Sequence, residues 1–129
     1  MTAASLPHAI IVDDEQSYLD LLSIILGENL ACPVATFARP LDALEAMADL
    51  DVGIIVTDFY MPDIDGMEFL KRAEQLKPGV PSIMITGHIA ALDGRDQGEV
   101  KNLKAVLAKP FRAHTLSDKI LEFWPQVAR

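Results

Sequence analysis

Short, mostly uncharged runs rich in β-branched residues recur along this chain, and the stretches between most of them are longer and helically spaced. That alternation constrains the fold more than any other feature. Strands buried on both faces read as continuous apolar runs, and the crossover helices between parallel strands supply the intervening period of 3.6. The runs are residues 9–12, 33–37, 53–57, 81–85 and 103–108. An α/β fold with a parallel sheet follows. Residues 53–57 are uncharged and mostly β-branched, which suits the sheet centre, whereas Pro33 marks residues 33–37 as an edge strand.

Between the runs, Tyr18, Leu19, Leu22, Ile25 and Leu26 repeat at helical spacing from Glu15 onward, with Gly27 or Asn29 as the stop. Pro40 suits a first helical position and opens a helix with Leu41, Leu44 and Met47 on one side. Gly66 leads into a helix striped by Met67, Leu70, Ala73 and Leu76 or Lys77, closed by Pro78-Gly79. A last helix carries Leu116, Ile120, Phe123 and Trp124, and Pro125 limits it. Alternation also calls for a helix between residues 87 and 102. Gly94 and Gly98 interrupt a polar segment there, which predicts a short, displaced or mobile element.

At 129 residues the chain matches one ordinary domain with a single core. Its formal charge of −8 opposes direct nucleic-acid binding, which calls for a basic patch. The apolar runs are strand-length, far short of a bilayer span, and the first residues lack the basic and apolar regions of a signal peptide. A soluble, cytoplasmic protein without membrane insertion is expected. The lone Cys32 fits a reducing compartment and reads as a small packed hydrophobe.

The carboxyl ends of strands in a parallel sheet converge on one crevice. The runs end at Asp13-Asp14, Asp58, Thr86 and Lys109-Pro110, with Met61-Pro62 beside the central acid. Carboxylates, a hydroxyl and an ammonium would therefore meet. Paired carboxylates are hard oxygen ligands that suit Mg²⁺, although N-capping of the following helix by Asp14 accounts for the pair equally well. Asp58 is placed to attack a phosphoryl group and hold it as an acyl phosphate, with the metal neutralising the charge that develops; alone, it reads as a turn-forming residue. The Thr86 hydroxyl suits a phosphoryl oxygen. Lys109 suits the phosphate as a point charge and would pair with Asp58 without one. Pro110 holds Lys109 extended, and a cis Lys109-Pro110 bond is open.

Taken together, IIVDDE at 10 to 15, VTDFYMPDIDGMEFL at 56 to 70, IMITGH at 83 to 88 and LAKPF at 107 to 111 resemble the receiver domain of two-component response regulators. The resemblance spans essentially the whole chain, in the family's order and spacing. It implies a flavodoxin-like (βα)5 doubly wound parallel sheet of five strands, order 2-1-3-4-5. It implies that Asp58 is the phosphoacceptor, and that Asp13, Asp14, Asp58 and the backbone carbonyl of Tyr60 hold Mg²⁺. Thr86 and Lys109 would contact the phosphoryl group. The implied partners are a sensor histidine kinase or histidine phosphotransfer protein and a downstream protein target. Residues 1–129 would form a single receiver domain, its core at about residues 7–124, with no effector domain.

Several features bear on output. Family members often carry Tyr or Phe three residues before the Lys; here Val106 stands there, so an aromatic switch is absent from that position. Residues 93–98 fall where the family usually forms its signalling helix. Tyr60 and His88 lie two residues after the acceptor Asp and the Thr, where side chains can gate water; His88 also reads as a solvated loop residue. A receiver of this kind catalyses only its own phosphorylation and dephosphorylation and is not otherwise an enzyme. The alternatives are a phosphorylation-independent docking module, a phosphoryl sink or shuttle, and a small-molecule aspartate-nucleophile phosphohydrolase. The last lacks an acid two residues beyond Asp58, where Tyr60 stands.

Overall fold

The computed structural model describes residues 6–87 and 100–129. Five strands, β1 (His8–Val12), β2 (Val34–Phe37), β3 (Val52–Asp58), β4 (Ser82–Thr86) and β5 (Leu103–Ala108), form one parallel sheet in the order β2-β1-β3-β4-β5. This is the doubly wound, flavodoxin-like arrangement that the family resemblance implies, and the parallel sheet that the alternation predicts, with β3 central and β2 at an edge. Among the described residues four α-helices accompany it: α1 (Gln16–Asn29), α2 (Pro40–Met47), α3 (Gly66–Leu76) and α4 (Ala113–Phe123). A 3-10 turn, Pro125–Val127, follows α4. The helix expected between residues 87 and 102, including residues 93–98, and the side chain of His88 lie largely or wholly outside the described residues.

Side chains alternate across a strand, so the apolar runs feed two cores. Ala9 and Ile11, with Ile54, Val56, Ile83 and Ile85, pack against Leu19, Leu22 and Leu26 of α1 and Leu116 and Ile120 of α4. Ile10, Val12, Ile55 and Met84 pack on the opposite face with Ala43 and Met47 of α2 and Met67, Phe69, Leu70 and Ala73 of α3. Cys32 is a buried free thiol in the first of these cores.

Three helix expectations are corrected. The buried face of α2 is Pro40, Ala43 and Met47, with Leu44 partly buried, and Leu41 is exposed. The apolar side is turned about one residue from the Leu41-Leu44-Met47 line, because the Pro40 ring and the small Ala43 make the close approach. On α3 the buried face is wider than one stripe: Gly66 and Phe69 join Met67, Leu70 and Ala73, while Leu76 at the last helical position is exposed. Asp14 does not cap α1. Glu15 holds the N-cap position without a side-chain cap bond, and its backbone N–H donates to Asp13 Oδ1 at 3.0 Å.

Candidate functional site

Register brings the strand ends level. Val12 pairs with Thr57, Asp58 with Ile85, and Thr86 with Ala108, so Asp13, Asp58, Thr86 and Lys109 lie along one edge of the sheet. The Lys109 N–H donates to the Thr86 carbonyl at 2.8 Å, tying the loop after β5 to the end of β4. The Lys109-Pro110 peptide is cis. Thr86 is fully buried.

Asp13, Asp14 and Asp58 each offer a carboxylate oxygen, and these atoms lie within 4.8 Å of one another. Asp13 is buried, with 1% of its side chain exposed, and Asp58 nearly so at 14%; Asp14 faces solvent. The two inner carboxylates are held alike. One oxygen of each accepts a backbone N–H: Asp13 Oδ1 from Glu15, and Asp58 Oδ1 from Phe59 at 2.7 Å. The other oxygens share Lys109 Nζ, 2.7 Å from Asp13 Oδ2 and 3.3 Å from Asp58 Oδ2. The expected Lys109–Asp58 pair is therefore present, but the shorter contact goes to Asp13. An ammonium with three donors bridges both acids rather than choosing one.

Charge crowding shows in the titration of these groups. Burial pushes the Asp58 carboxyl above its ordinary value; Lys109 opposes this and the Asp13 charge adds to it. For Lys109 burial works downward, but the hydrogen bond and charge of Asp13, followed by Asp58, outweigh it and leave the ammonium's pKa raised. The pocket thus keeps its cation charged and disfavours ionisation of Asp58. A divalent cation relieves that conflict, and an all-carboxylate donor set on three neighbouring residues suits a hard ion such as Mg²⁺.

The loop after β3 is fixed from several sides. Thr57 Oγ1 donates to the Asp58 carbonyl at 2.9 Å and contacts Met61 Sδ at 3.6 Å. Gly66 N–H donates to the Phe59 carbonyl at 2.7 Å, and a Cβ on Gly66 would overlap the Asp58 carbonyl oxygen. Asp65 caps α3 by accepting from the Glu68 N–H. Arg39 and Asp63 form an ion pair at 3.0 Å across the neighbouring loops. Tyr60 is 53% exposed, edge-on to Phe59. Val106 is half-buried against the core on the α2 and α3 side.

Sequence reasoning missed Tyr18, which it counted only among the apolar positions of α1. Its ring centroid lies 4.4 Å from Lys109 Nζ, and Phe111 meets it edge-on at 6.3 Å. The signal was its position: four residues after Asp14, in the first turn of the helix, where a side chain leans back toward the helix start. Burial, first among several influences, pushes its phenol up to about 12, so the ring is neutral.

No helix among the described residues is long and apolar enough to cross a membrane. The chain is 34% identical over 105 residues to the DNA-binding transcriptional regulator NtrC of Escherichia coli, covering 78% of this chain and 21% of that protein. It is 31% identical over 93 residues to the response regulator receiver protein CpdR of Brucella abortus, covering 72% of this chain and 77% of that one. It thus spans about a fifth of NtrC and most of CpdR. A CheY-like receiver domain protein from Methanospirillum hungatei superposes with a TM-score of 0.79 at 27% identity, covering 95% of this chain and 96% of that one. Receiver domains act as phosphoacceptors, typically bind Mg²⁺ in an acidic pocket, interact with histidine kinases or phosphotransfer proteins, and are generally signalling modules, although some relatives that match this chain are protein-glutamate methylesterases. Residues 9–121 match the response regulator receiver domain over nearly the whole sheet and its helices, and the chain belongs to that family.

Proposed function

We propose that this chain is a phosphoacceptor in a two-component phosphorelay, with residues 1–129 read as one receiver domain. Asp58 takes a phosphoryl group from a sensor histidine kinase or histidine phosphotransfer protein, and the phosphorylated form acts on a downstream protein. The observation that carries this reading is the grouping of Asp13, Asp14 and Asp58 within 4.8 Å, with Lys109 bridging two of them.

In this reading an Asp58 oxygen forms the new bond to phosphorus while the bond from phosphorus to the donor imidazole nitrogen breaks, and its electron pair returns to the ring. The Phe59 N–H fixes the plane of the carboxylate through Oδ1. Asp13, Asp14, Asp58 and the Tyr60 backbone carbonyl would hold Mg²⁺, whose charge neutralises the oxygens of the moving phosphoryl group. Lys109 then exchanges a carboxylate contact for a phosphoryl oxygen, and the Thr86 hydroxyl takes another. Incubation with acetyl phosphate and Mg²⁺ should label the wild-type chain, and Asp58→Asn should abolish the label. No labelling of the wild type would leave the fold without this activity.

Val106 favours a second reading. Where the resemblance leads one to expect an aromatic switch, a small β-branched side chain packs half-buried against the core. A receiver fold that docks its partner independently of phosphorylation needs no such switch. The same labelling experiment separates the two, since only the first requires a phosphorylated Asp58.

A further inference from the structure

Lys109 Nζ is held on two sides by carboxylates and on a third by an aromatic face. Asp13 Oδ2 at 2.7 Å and Asp58 Oδ2 at 3.3 Å accept from it, and the Tyr18 ring centroid stands 4.4 Å away. A cation at that distance from a ring centroid is attracted by the negative face of the π system, and more so where water is displaced. Only 21% of the Lys109 side chain is exposed. Tyr18 is itself half-buried and braced edge-on by Phe111, two residues beyond Lys109, so the ring cannot drift without disturbing the loop that carries the lysine.

We infer that Tyr18 is a positioning residue for Lys109, its ring holding the ammonium at the mouth of the pocket while the carboxylates change partners. This rests on the phosphoacceptor reading. The need for such a residue follows from the geometry: the shorter Lys109 contact is to Asp13, one of the acids assigned to the metal. A cation entering there competes for the Asp13 oxygens and weakens the lysine's shorter bond. The Tyr18 face carries no formal charge, binds no metal of this class and remains in place through the exchange. It keeps Nζ beside Asp58, where the phosphoryl oxygens arrive. The contact is made by the ring and not the hydroxyl, so Phe replaces Tyr in this role and Leu does not.

A double-mutant cycle tests this. With Mg²⁺ and phosphoramidate, Tyr18→Leu should slow Asp58 labelling by about three- to tenfold, the range expected for losing a partly desolvated cation–π contact. Tyr18→Phe should recover most of that loss. In a Lys109→Met background, Tyr18→Leu should cost nothing further. An equal loss in both backgrounds would mean that Tyr18 supports only the fold, and a Tyr18→Phe chain as slow as Tyr18→Leu would assign the effect to the hydroxyl; either overturns the inference. A second readout needs no phosphorylation. In NMR spectra of the unphosphorylated chain, the Lys109 ε-methylene protons should show an upfield ring-current shift, kept in Tyr18→Phe and lost in Tyr18→Leu. If the wild type takes no label, the phosphoacceptor reading fails and the ring-current shift alone decides whether Tyr18 positions the lysine; absence of that shift overturns it.

Discussion

At the amino-terminal end of β3, Gly53 lies against the Trp124 ring so closely that a Cβ would overlap it, and nearby the chain end is tied down by Ala31 N–H donating to the Val127 carbonyl. At the carboxyl-terminal end of the same strand, Asp58 shares one lysine with Asp13 and is driven above its ordinary pKa by burial. The first end gains by removing apolar surface from water and pairing its backbone groups. The second concentrates like charges in a partly desolvated crevice, an arrangement that costs stability until a ligand relieves it. One strand therefore anchors the fold at one end and holds a partly desolvated, electrostatically strained carboxyl at the other.

The same substitution made at both ends separates these roles. Gly66→Ala drives a Cβ into the Asp58 backbone carbonyl, a backbone group that also accepts from Thr57 Oγ1, so it should cost about 1–3 kcal/mol in urea unfolding and also depress Asp58 labelling. Gly53→Ala meets the far edge of a half-buried ring that can swing aside, so it should cost about 1 kcal/mol and leave the labelling of folded protein intact. Equal losses of labelling would break the comparison.

Electrostatic strain at the carboxyl end predicts a smaller and opposite change. An acid whose pKa is raised by folding binds its proton more tightly in the folded state, so its ionised form weakens the fold at neutral pH, and that penalty is absent below the ordinary value of 3.8. Asp58→Asn should thus melt at a higher temperature than wild type near pH 7, with the gap narrowing as pH falls through the raised Asp58 pKa and closing below 3.8. The substitution leaves in place Asp13, the closer partner of Lys109 at 2.7 Å. An Asp58→Asn chain no more stable than wild type at pH 7 would remove the claim of strain.

The smallest effect concerns Tyr60. Its exposed ring stands edge-on to Phe59, next in sequence to Asp58, and in the phosphoacceptor reading its bulk would limit the approach of water to an acyl phosphate there. Once labelled, Tyr60→Ala should lose its phosphoryl group severalfold faster than wild type, measured by decay of the label after removal of the donor. An unchanged decay would show that the ring does not shield the bond.

Strands and their ends were the most legible part of the chain. Parallel strands buried on both faces must be continuously apolar, so their limits stand out, and register then forces Asp13, Asp58, Thr86 and Lys109 together. Helix faces were less legible. Leu41 and Phe69 depend on which small residues, Pro40 and Ala43 or Gly66, let the backbone approach the sheet, and periodicity alone does not encode that. Partner choice inside the pocket was least legible: whether Lys109 leans toward Asp13 or Asp58, and that Tyr18 backs it, are set by side-chain reach across three separate elements. The Asp14 cap is absent because the helix begins one residue later than a cap there would require, at Gln16 with Glu15 in the N-cap position.

Mass spectrometry of the chain after incubation with acetyl phosphate, with and without Mg²⁺, tests the central claim most directly. A single Mg²⁺-dependent phosphoryl adduct that maps to Asp58 and is absent from Asp58→Asn is the predicted result. An unmodified wild-type chain, or an adduct that persists in Asp58→Asn, would contradict it.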